Sequence, residues 1–457
     1  MNFSRLRPES PQVVPWILQL FLLLSLASAL GCGVHSAPAQ QVGQPAAQGV
    51  LRGPQRRPSV ITHVVVVIQE NRSFDDLFQG YPGANTSSTG QASTGQAVAL
   101  QPVSFTADYD IIHQSQDFLN AYDNGKMDGF NLERLLGHPK LTYPQYGYVP
   151  ASQTKLYFEM ANQYVLADNM FQSNIDASFA AHQYLIAAQA GGNGTSGAAA
   201  NIPSGRWGCD YGQGDKVDTL NADRSVGPRE GPCFDYTTLA DELDGAGLSW
   251  RYYAAPSDNA GGNWSAYMAV NHIRNGPDWA NVITPPGQFL TDVAAGKLAN
   301  VTWVTPTYKD SDHAANHSKQ GPAWVASVVN AVGESSFWDS TVVFVVWDDW
   351  GGWYDHVPPI YLDYDGLGFR VPMLVISAYS KQNYVSHVQY EFGSVLRFIE
   401  DDFGLGQLSA SDARATDPAA DSLNVSGGPR SFVPFKTGVS PRTFVDERQD
   451  GKAPDDE

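Results

Sequence analysis

The sequence predicts an α/β sandwich, with a mostly parallel central sheet between layers of helices. Three observations predict it. Runs of β-branched residues without polar alternation occur at 60–68, 341–347 and 371–377, as expected of strands buried on both faces of a parallel sheet. Helical patterns lie between them, at 154–164, 179–190, 236–246 and 323–332, and this alternation is the signature of α/β architecture. The chain also carries 43 Gly and 29 Pro in 457 residues, which speaks for many loops and against a helical bundle.

Ahead of the first strand, Arg5 and Arg7 precede an apolar run from Trp16 to Leu26, followed by the small residues Ala27, Ser28, Ala29 and Gly31. This is the layout of a secretory signal over 1–31, so an exported protein is expected. Cys32 stands directly after Ala29-Leu30-Gly31, which resembles a bacterial lipoprotein box with Ala in place of Leu at its first position. A lipid anchor at Cys32 is therefore one expectation, and periplasmic, outer-membrane lipoprotein and secreted destinations all stay open. Residues 32–58 are rich in Ala, Gln, Gly and Pro and read as a flexible linker. No later stretch is long and apolar enough to span a bilayer, so no transmembrane segment is expected.

Order is expected from Ser59 onward. The stretches 81–104 and 191–232 are rich in Gly, Ser, Thr, Asn and Asp, and read as lids or insertions. Cys209 and Cys233 fall in the second of them; in an exported chain they most simply pair, the alternative being two buried thiols. The polar tail 406–457 is expected to pack loosely or be disordered. With 28 Lys+Arg against 47 Asp+Glu the net charge is −19, which excludes a basic nucleic-acid-binding surface.

Ligands of open α/β sheets bind beyond the carboxyl ends of strands. After the first buried run come Glu70 and Asn71, and after the 341–347 run come Asp348 and Asp349. Carboxylates crowded at two strand ends repel unless a cation joins them, and a divalent metal resolves the conflict. Either dipeptide alone could be no more than a solvated turn. Ser178 precedes the 179–190 helical pattern, where helix amides attract phosphate. A Ser there is either a plain helix cap or a nucleophile activated by metal. An all-oxygen ligand set suits Ca²⁺, Mg²⁺ or Mn²⁺ better than Zn²⁺. Trp347, Trp350, Trp353 and Tyr354 flank the Asp pair and read either as core or as an aromatic wall for a leaving group.

The strings HVVVVIQENRSFDDLF, DNGKMDGF, DNMFQSNIDASFAAHQY, GPAWVASVVNAVGESSFWDSTVVFVVWDDWGGWYDHVPP and FRVPMLVIS resemble the bacterial phosphoesterase family of acid phosphatases and phosphocholine-type phospholipases C. That family lies within the alkaline-phosphatase-like superfamily, and the resemblance runs over roughly 59–405, the expected catalytic domain. It implies an alkaline-phosphatase-like three-layer sandwich with long loop insertions. By position it implies Glu70, Asn71, Asp348, Asp349 and Ser178 as ligands of one divalent ion, of identity open among Ca, Mg, Mn and Zn. It implies Ser178 as nucleophile by way of a phosphoserine, and His113 and His356 as histidines lining the phosphate pocket. A further histidine is His313 or His317, with His313 favoured because it follows Ser311-Asp312. His313 or His356 would protonate the leaving oxygen and His113 would bind a non-bridging oxygen.

The chain departs from the family at Ala180, Ala181 and His182, where the phospholipases usually show Pro-Asn-Arg, so His182 is either a local replacement or only a helix residue. The resemblance thus implies a hydrolase of phosphoric esters, acting on a phosphomonoester or a phospholipid-like phosphodiester. A catalytically inert surface or binding protein that retains the fold is the alternative; loss of Ser178 or of the Asp pair would mark it, and neither is lost.

Overall fold

The computed structural model describes residues 59–191, 208–212, 214–259 and 261–448. The signal and lipid-anchor expectations at 1–31 and Cys32, and the linker at 32–58, fall outside the described residues. Among the described residues no helix is long and apolar enough to cross a membrane.

The core is an eight-stranded sheet. In chain order its strands are β1 His63–Gln69, β2 Val165–Ala167, β3 Trp250–Tyr253, β4 Val282–Ile283, β5 Val301–Val304, β6 Thr341–Trp347, β7 Met373–Ser377 and β8 Tyr384–Ser386. They lie side by side as β4-β3-β5-β1-β6-β7-β2-β8. Every neighbouring pair is parallel except the two made by β7, which runs against β6 and β2. The three apolar runs read from sequence are the centre of this sheet, β1, β6 and β7, and their burial on both faces is what removes polar alternation from them. The first of the three starts later than its apolar run, at His63, because residues 60–62 approach the sheet before pairing begins.

Helices cover both faces. Define α1 as Lys155–Gln163, α2 as Ser178–Ala187, α3 as Gly321–Gly333 and α4 as Phe392–Phe403. Phe398 of α4 packs on Phe344 of β6, with ring centroids 5.1 Å apart, and Trp303 of β5 donates its indole N–H to Leu185 O of α2 at 3.1 Å. Val66 of β1 is in register with both Trp303 and Phe344, so α2 and α4 share one face. Tyr157 of α1 packs on Trp347, three residues along β6 from Phe344 and hence on the opposite face. With α3 lying against α1 there, the three-layer sandwich is complete.

The insertion at 81–104 holds short paired strands: Thr89–Gln91 pairs with Ala97–Ala99, and Gln101–Pro102 pairs with Gly147–Tyr148. One expectation changes. The tail packs firmly as far as residue 448, because its aromatic residues find apolar partners: Phe435 and Phe444 are buried, and Phe444 lies 5.3 Å from Trp324 of α3. In the second insertion, Cys209 and Cys233 form the disulfide.

Candidate active site

β1 and β6 are parallel neighbours, and Gln69 is in register with Trp347. Their carboxyl ends therefore deliver Glu70-Asn71 and Asp348-Asp349 side by side. Asn71 turns the chain at φ +54°, a left-handed conformation that Asn tolerates better than most residues, and its backbone N–H donates to Asp348 Oδ1 at 3.0 Å. Asp349 Oδ1 accepts from Gly351 N at 2.7 Å. Glu70, Asp348 and Asp349 are all fully buried.

Ser178 reaches this edge from the first turn of α2. The turn before it is braced by Gln172 and Asn174, whose side-chain amides both donate to Asp176 O, at 3.1 and 2.7 Å. The helix N-cap is Ala177 and Ser178 is the first helical residue, which corrects the cap reading: its hydroxyl caps nothing. Instead the Oγ lies 3.2 Å from Asp349 Oδ2 and 3.4 Å from Glu70 Oε2. His113 completes this side. Its Nδ1 donates to Ile111 O at 2.6 Å, and its Nε2 lies 2.9 Å from Asn71 Nδ2 and 3.3 Å from Asp349 Oδ1.

The sequence reading had left His182 as a local replacement or a plain helix residue, and the structure brings it into the group. It stands four residues after Ser178, one turn along the same helix face. Its Nε2 lies 3.0 Å from Glu70 Oε1 and 3.6 Å from Asp348 Oδ2. Glu70, His182 and Asp348 can each offer a ligand atom within 4.8 Å of the others. The signal was present in the sequence, as a His at the fourth position after the candidate nucleophile.

Electrostatics show what this crowding does. Burial first, then Asp348 beside it, pushes Glu70 well above the usual carboxylate range. Burial and Asp348 also raise Asp349. Burial opposes ionisation of Asp348, yet the neighbouring His182 outweighs it and holds Asp348 down to about 2. Burial lowers His182 while Glu70 and Asp348 outweigh that and lift it to about 9. One imidazolium cannot balance three buried carboxylates, and a divalent cation fits the deficit. Asp348 Oδ2 supports that fit, being buried with no hydrogen bond among the described residues.

The phosphoesterase family model matches residues 61–406. The chain belongs to the phosphoesterase family. This membership agrees with the expectation of a phosphoric ester hydrolase. Similar to this chain is the non-hemolytic phospholipase C of Pseudomonas aeruginosa, 26% identical over 416 residues that cover 78% of this chain and 55% of the relative. The hemolytic phospholipase C of the same organism is 25% identical over 415 residues, 78% of this chain and 54% of its own. Phospholipase C A of Mycobacterium tuberculosis is 22% identical over 402 residues, 76% of this chain and 73% of its own. The chain thus spans about half the length of the two Pseudomonas relatives. Among solved structures, a protein in the alkaline phosphatase superfamily from Vibrio parahaemolyticus aligns at a TM-score of 0.39 and 10% identity, over 81% of this chain and 73% of its own.

The remaining candidate residues are placed differently. His313 is buried and His317 exposed. Asp312, just before His313, is tied to both sides of the Glu70-Asn71 pair, its N–H donating to Gln69 Oε1 at 3.0 Å and its carbonyl accepting from Arg72 Nε at 2.8 Å. The His313 ring donates from Nδ1 to Ala314 O at 2.7 Å and packs between Trp264 and Tyr308. His356 is not brought to the Ser178 group. Its Nδ1 lies 2.6 Å from Asp75 Oδ2 and its Nε2 3.1 Å from Asn85 Oδ1, so both nitrogens are engaged in a separate cluster. There Arg370 bridges Asp355 and Asp75, so His356 braces that cluster and does not line the pocket as expected. The aromatic wall also changes. Trp347, Trp350, Trp353 and Tyr354 are buried core, and Phe179, next to Ser178 in the chain, packs instead in a separate small cluster with Phe234 and Trp264.

Proposed function

We propose that the protein is an exported, metal-dependent phosphoric ester hydrolase that works through Ser178, of acid phosphatase or phospholipase C type. The observation that carries this reading is the convergence of the Ser178 hydroxyl on the Glu70 and Asp349 carboxylates at the joint end of β1 and β6. Export is supported by the signal layout of 1–31 and by the Cys209–Cys233 disulfide, a bond of oxidising compartments. Periplasmic, outer-membrane and secreted destinations fit it equally. The names of the relatives favour a phospholipid-like phosphodiester over a monoester.

Glu70, Asn71, Ser178, Asp348 and Asp349 would hold one divalent ion, whose charge supplies stabilisation of the serine alkoxide and of a phosphate oxygen. Ser178 Oγ passes its proton to the Asp349 carboxylate, to which it donates at 3.2 Å, attacks phosphorus in line with the leaving oxygen as that bond breaks, and forms a phosphoserine that water then hydrolyses. His113 Nε2, beside Asn71, would bind a non-bridging oxygen. His313, with Nδ1 committed to Ala314 O, protonates the leaving oxygen from Nε2. The inert-protein reading has less support, since nucleophile and carboxylates are present and assembled.

Steady-state hydrolysis of p-nitrophenyl phosphate beside p-nitrophenylphosphorylcholine, with and without chelator, tests the proposal. Faster chelator-sensitive turnover of the monoester gives a phosphatase, and preference for the diester a phospholipase C. No turnover of either under any divalent ion rules the mechanism out.

A further inference from the structure

We propose that the His182 imidazole is itself a metal ligand, so that this site takes a divalent transition ion, Zn²⁺ foremost, in preference to Ca²⁺ or Mg²⁺. The inference rests on the metal site proposed above and concerns which ion that site selects.

Four separations carry it. His182 Nε2 is 3.0 Å from Glu70 Oε1 and 3.6 Å from Asp348 Oδ2, while Ser178 Oγ is 3.2 Å from Asp349 Oδ2 and 3.4 Å from Glu70 Oε2. Adjacent ligands on one ion, bound at about 2.1 Å and subtending 90–109°, lie roughly 3.0–3.4 Å apart. The hydroxyl contacts are longer than the roughly 2.7 Å usual for O–H···O bonds, and so match a coordination shell better than a hydrogen-bond network.

The ring has no other evident task. His182 is fully buried, and its Nδ1 makes no hydrogen bond among the described residues, so Glu70 and Asp348 alone aim it. On the other side of the ring's line of sight, Asp348 Oδ2 is buried and accepts no hydrogen bond either. His182 Nε2 thus faces two carboxylates at once, Glu70 Oε1 at 3.0 Å and the unpartnered Asp348 Oδ2 at 3.6 Å, and the three buried atoms surround a place for a cation. Hard Ca²⁺ and Mg²⁺ take oxygen ligands almost alone, whereas imidazole suits Zn²⁺ and its transition-metal neighbours. Oxygen donors by themselves left the choice of ion open, and the imidazole closes it.

Metal selection by the purified full chain tests this. The protein is stripped with chelator, dialysed against equal concentrations of Zn²⁺, Mn²⁺, Ca²⁺ and Mg²⁺, and its metal content measured by mass spectrometry. The wild type is expected to retain Zn²⁺ over Ca²⁺ and Mg²⁺, and His182→Gln to bind Zn²⁺ at least about tenfold more weakly. X-ray absorption at the zinc edge should show one imidazole fewer in the variant. His182→Arg, which keeps a cation against Glu70 and Asp348, should show the same loss with the fold retained by circular dichroism, which guards against a folding defect in His182→Gln. Retention of Ca²⁺ or Mg²⁺ by the wild type, or unchanged Zn²⁺ affinity in both variants, overturns the proposal while leaving the metal-dependent function standing. A wild type that binds none of the four ions overturns both.

Discussion

Ser178 illustrates how one side chain can be separated from the helix that carries it. Its hydroxyl points to Asp349 and Glu70 and the helix N-cap is Ala177, so Ser178→Ala removes the proposed nucleophile and substitutes a better helix former. Turnover should vanish while thermal stability by circular dichroism changes by less than about 1 kcal/mol. Retained activity would remove Ser178 as nucleophile. Gly351 poses the opposite case. It sits at φ +60°, and a Cβ there would lie 2.3 Å from Asn71 O, which belongs to the other half of the site. Gly351→Ala should destabilise the protein by about 1–3 kcal/mol in urea denaturation and lower turnover as well, because backbone must shift where Asp349 is held. Identical denaturation curves would contradict this. At this scale the strand-end residues were legible, since Glu70, Asn71, Asp348 and Asp349 follow the most apolar runs of the chain. His356 was misplaced because a motif records sequence neighbours and not the Asp75 and Asn85 contacts that occupy its ring.

Among elements, the long buried strands and helices could be read from the chain because their burial removes polar residues in register with the secondary-structure period. The short strands β2, β3, β4, β5 and β8 could not, since two to four residues carry no measurable period and their pairing comes from neighbours far away in sequence. The tail shows the same limit. Its few aromatic anchors are diluted by polar residues, yet it closes against the segment that leads to His313. There Thr307 Oγ1 donates to Glu447 Oε2 at 3.2 Å, and Asp310, whose carbonyl accepts from Gln69 Nε2 at 3.1 Å, lies in the same turn. Burial, and then the hydrogen bond and charge of Glu447, pushes Asp310 up to about 9. An acid raised in the folded state favours folding while protonated. Its contribution is therefore complete below the unfolded value of about 4 and is lost as pH rises from there to about 9. Glu447→Gln removes one of the groups that raises it, so the melting temperature of the variant should fall less than that of the wild type between pH 5 and 9. Parallel profiles would show that Asp310 and Glu447 are not linked.

At the scale of the molecule, two covalent or ionic ties act on the same wall of the site. The Cys209–Cys233 bond, with a sequence separation of 24, closes the second insertion, and Phe234 next to it packs on Phe179, the residue after the nucleophile. Loss of that bond in Cys233→Ser should cost roughly 3 kcal/mol by the loop-entropy account, seen in denaturation with and without reductant. An unchanged midpoint would show that packing alone holds the insertion. The second tie is the divalent ion proposed for the site. Without it the sheet edge buries Glu70, Asp348 and Asp349 against a single imidazolium, whereas the unfolded chain leaves those groups in water. An ion that binds only the folded state stabilises it by mass action, about 2.7 kcal/mol when free ion stands at 100 times its dissociation constant. Chelation should thus lower the melting temperature, and added ion should restore it in a concentration-dependent way. Ser178→Ala, which keeps all three carboxylates, should show the same recovery without any turnover. Asp348→Asn with Asp349→Asn should show none, because the charge that calls for the ion is gone. A melting temperature indifferent to chelator in the wild type would mean that the folded state tolerates the three carboxylates by protonation alone, and the metal centre would have to be abandoned.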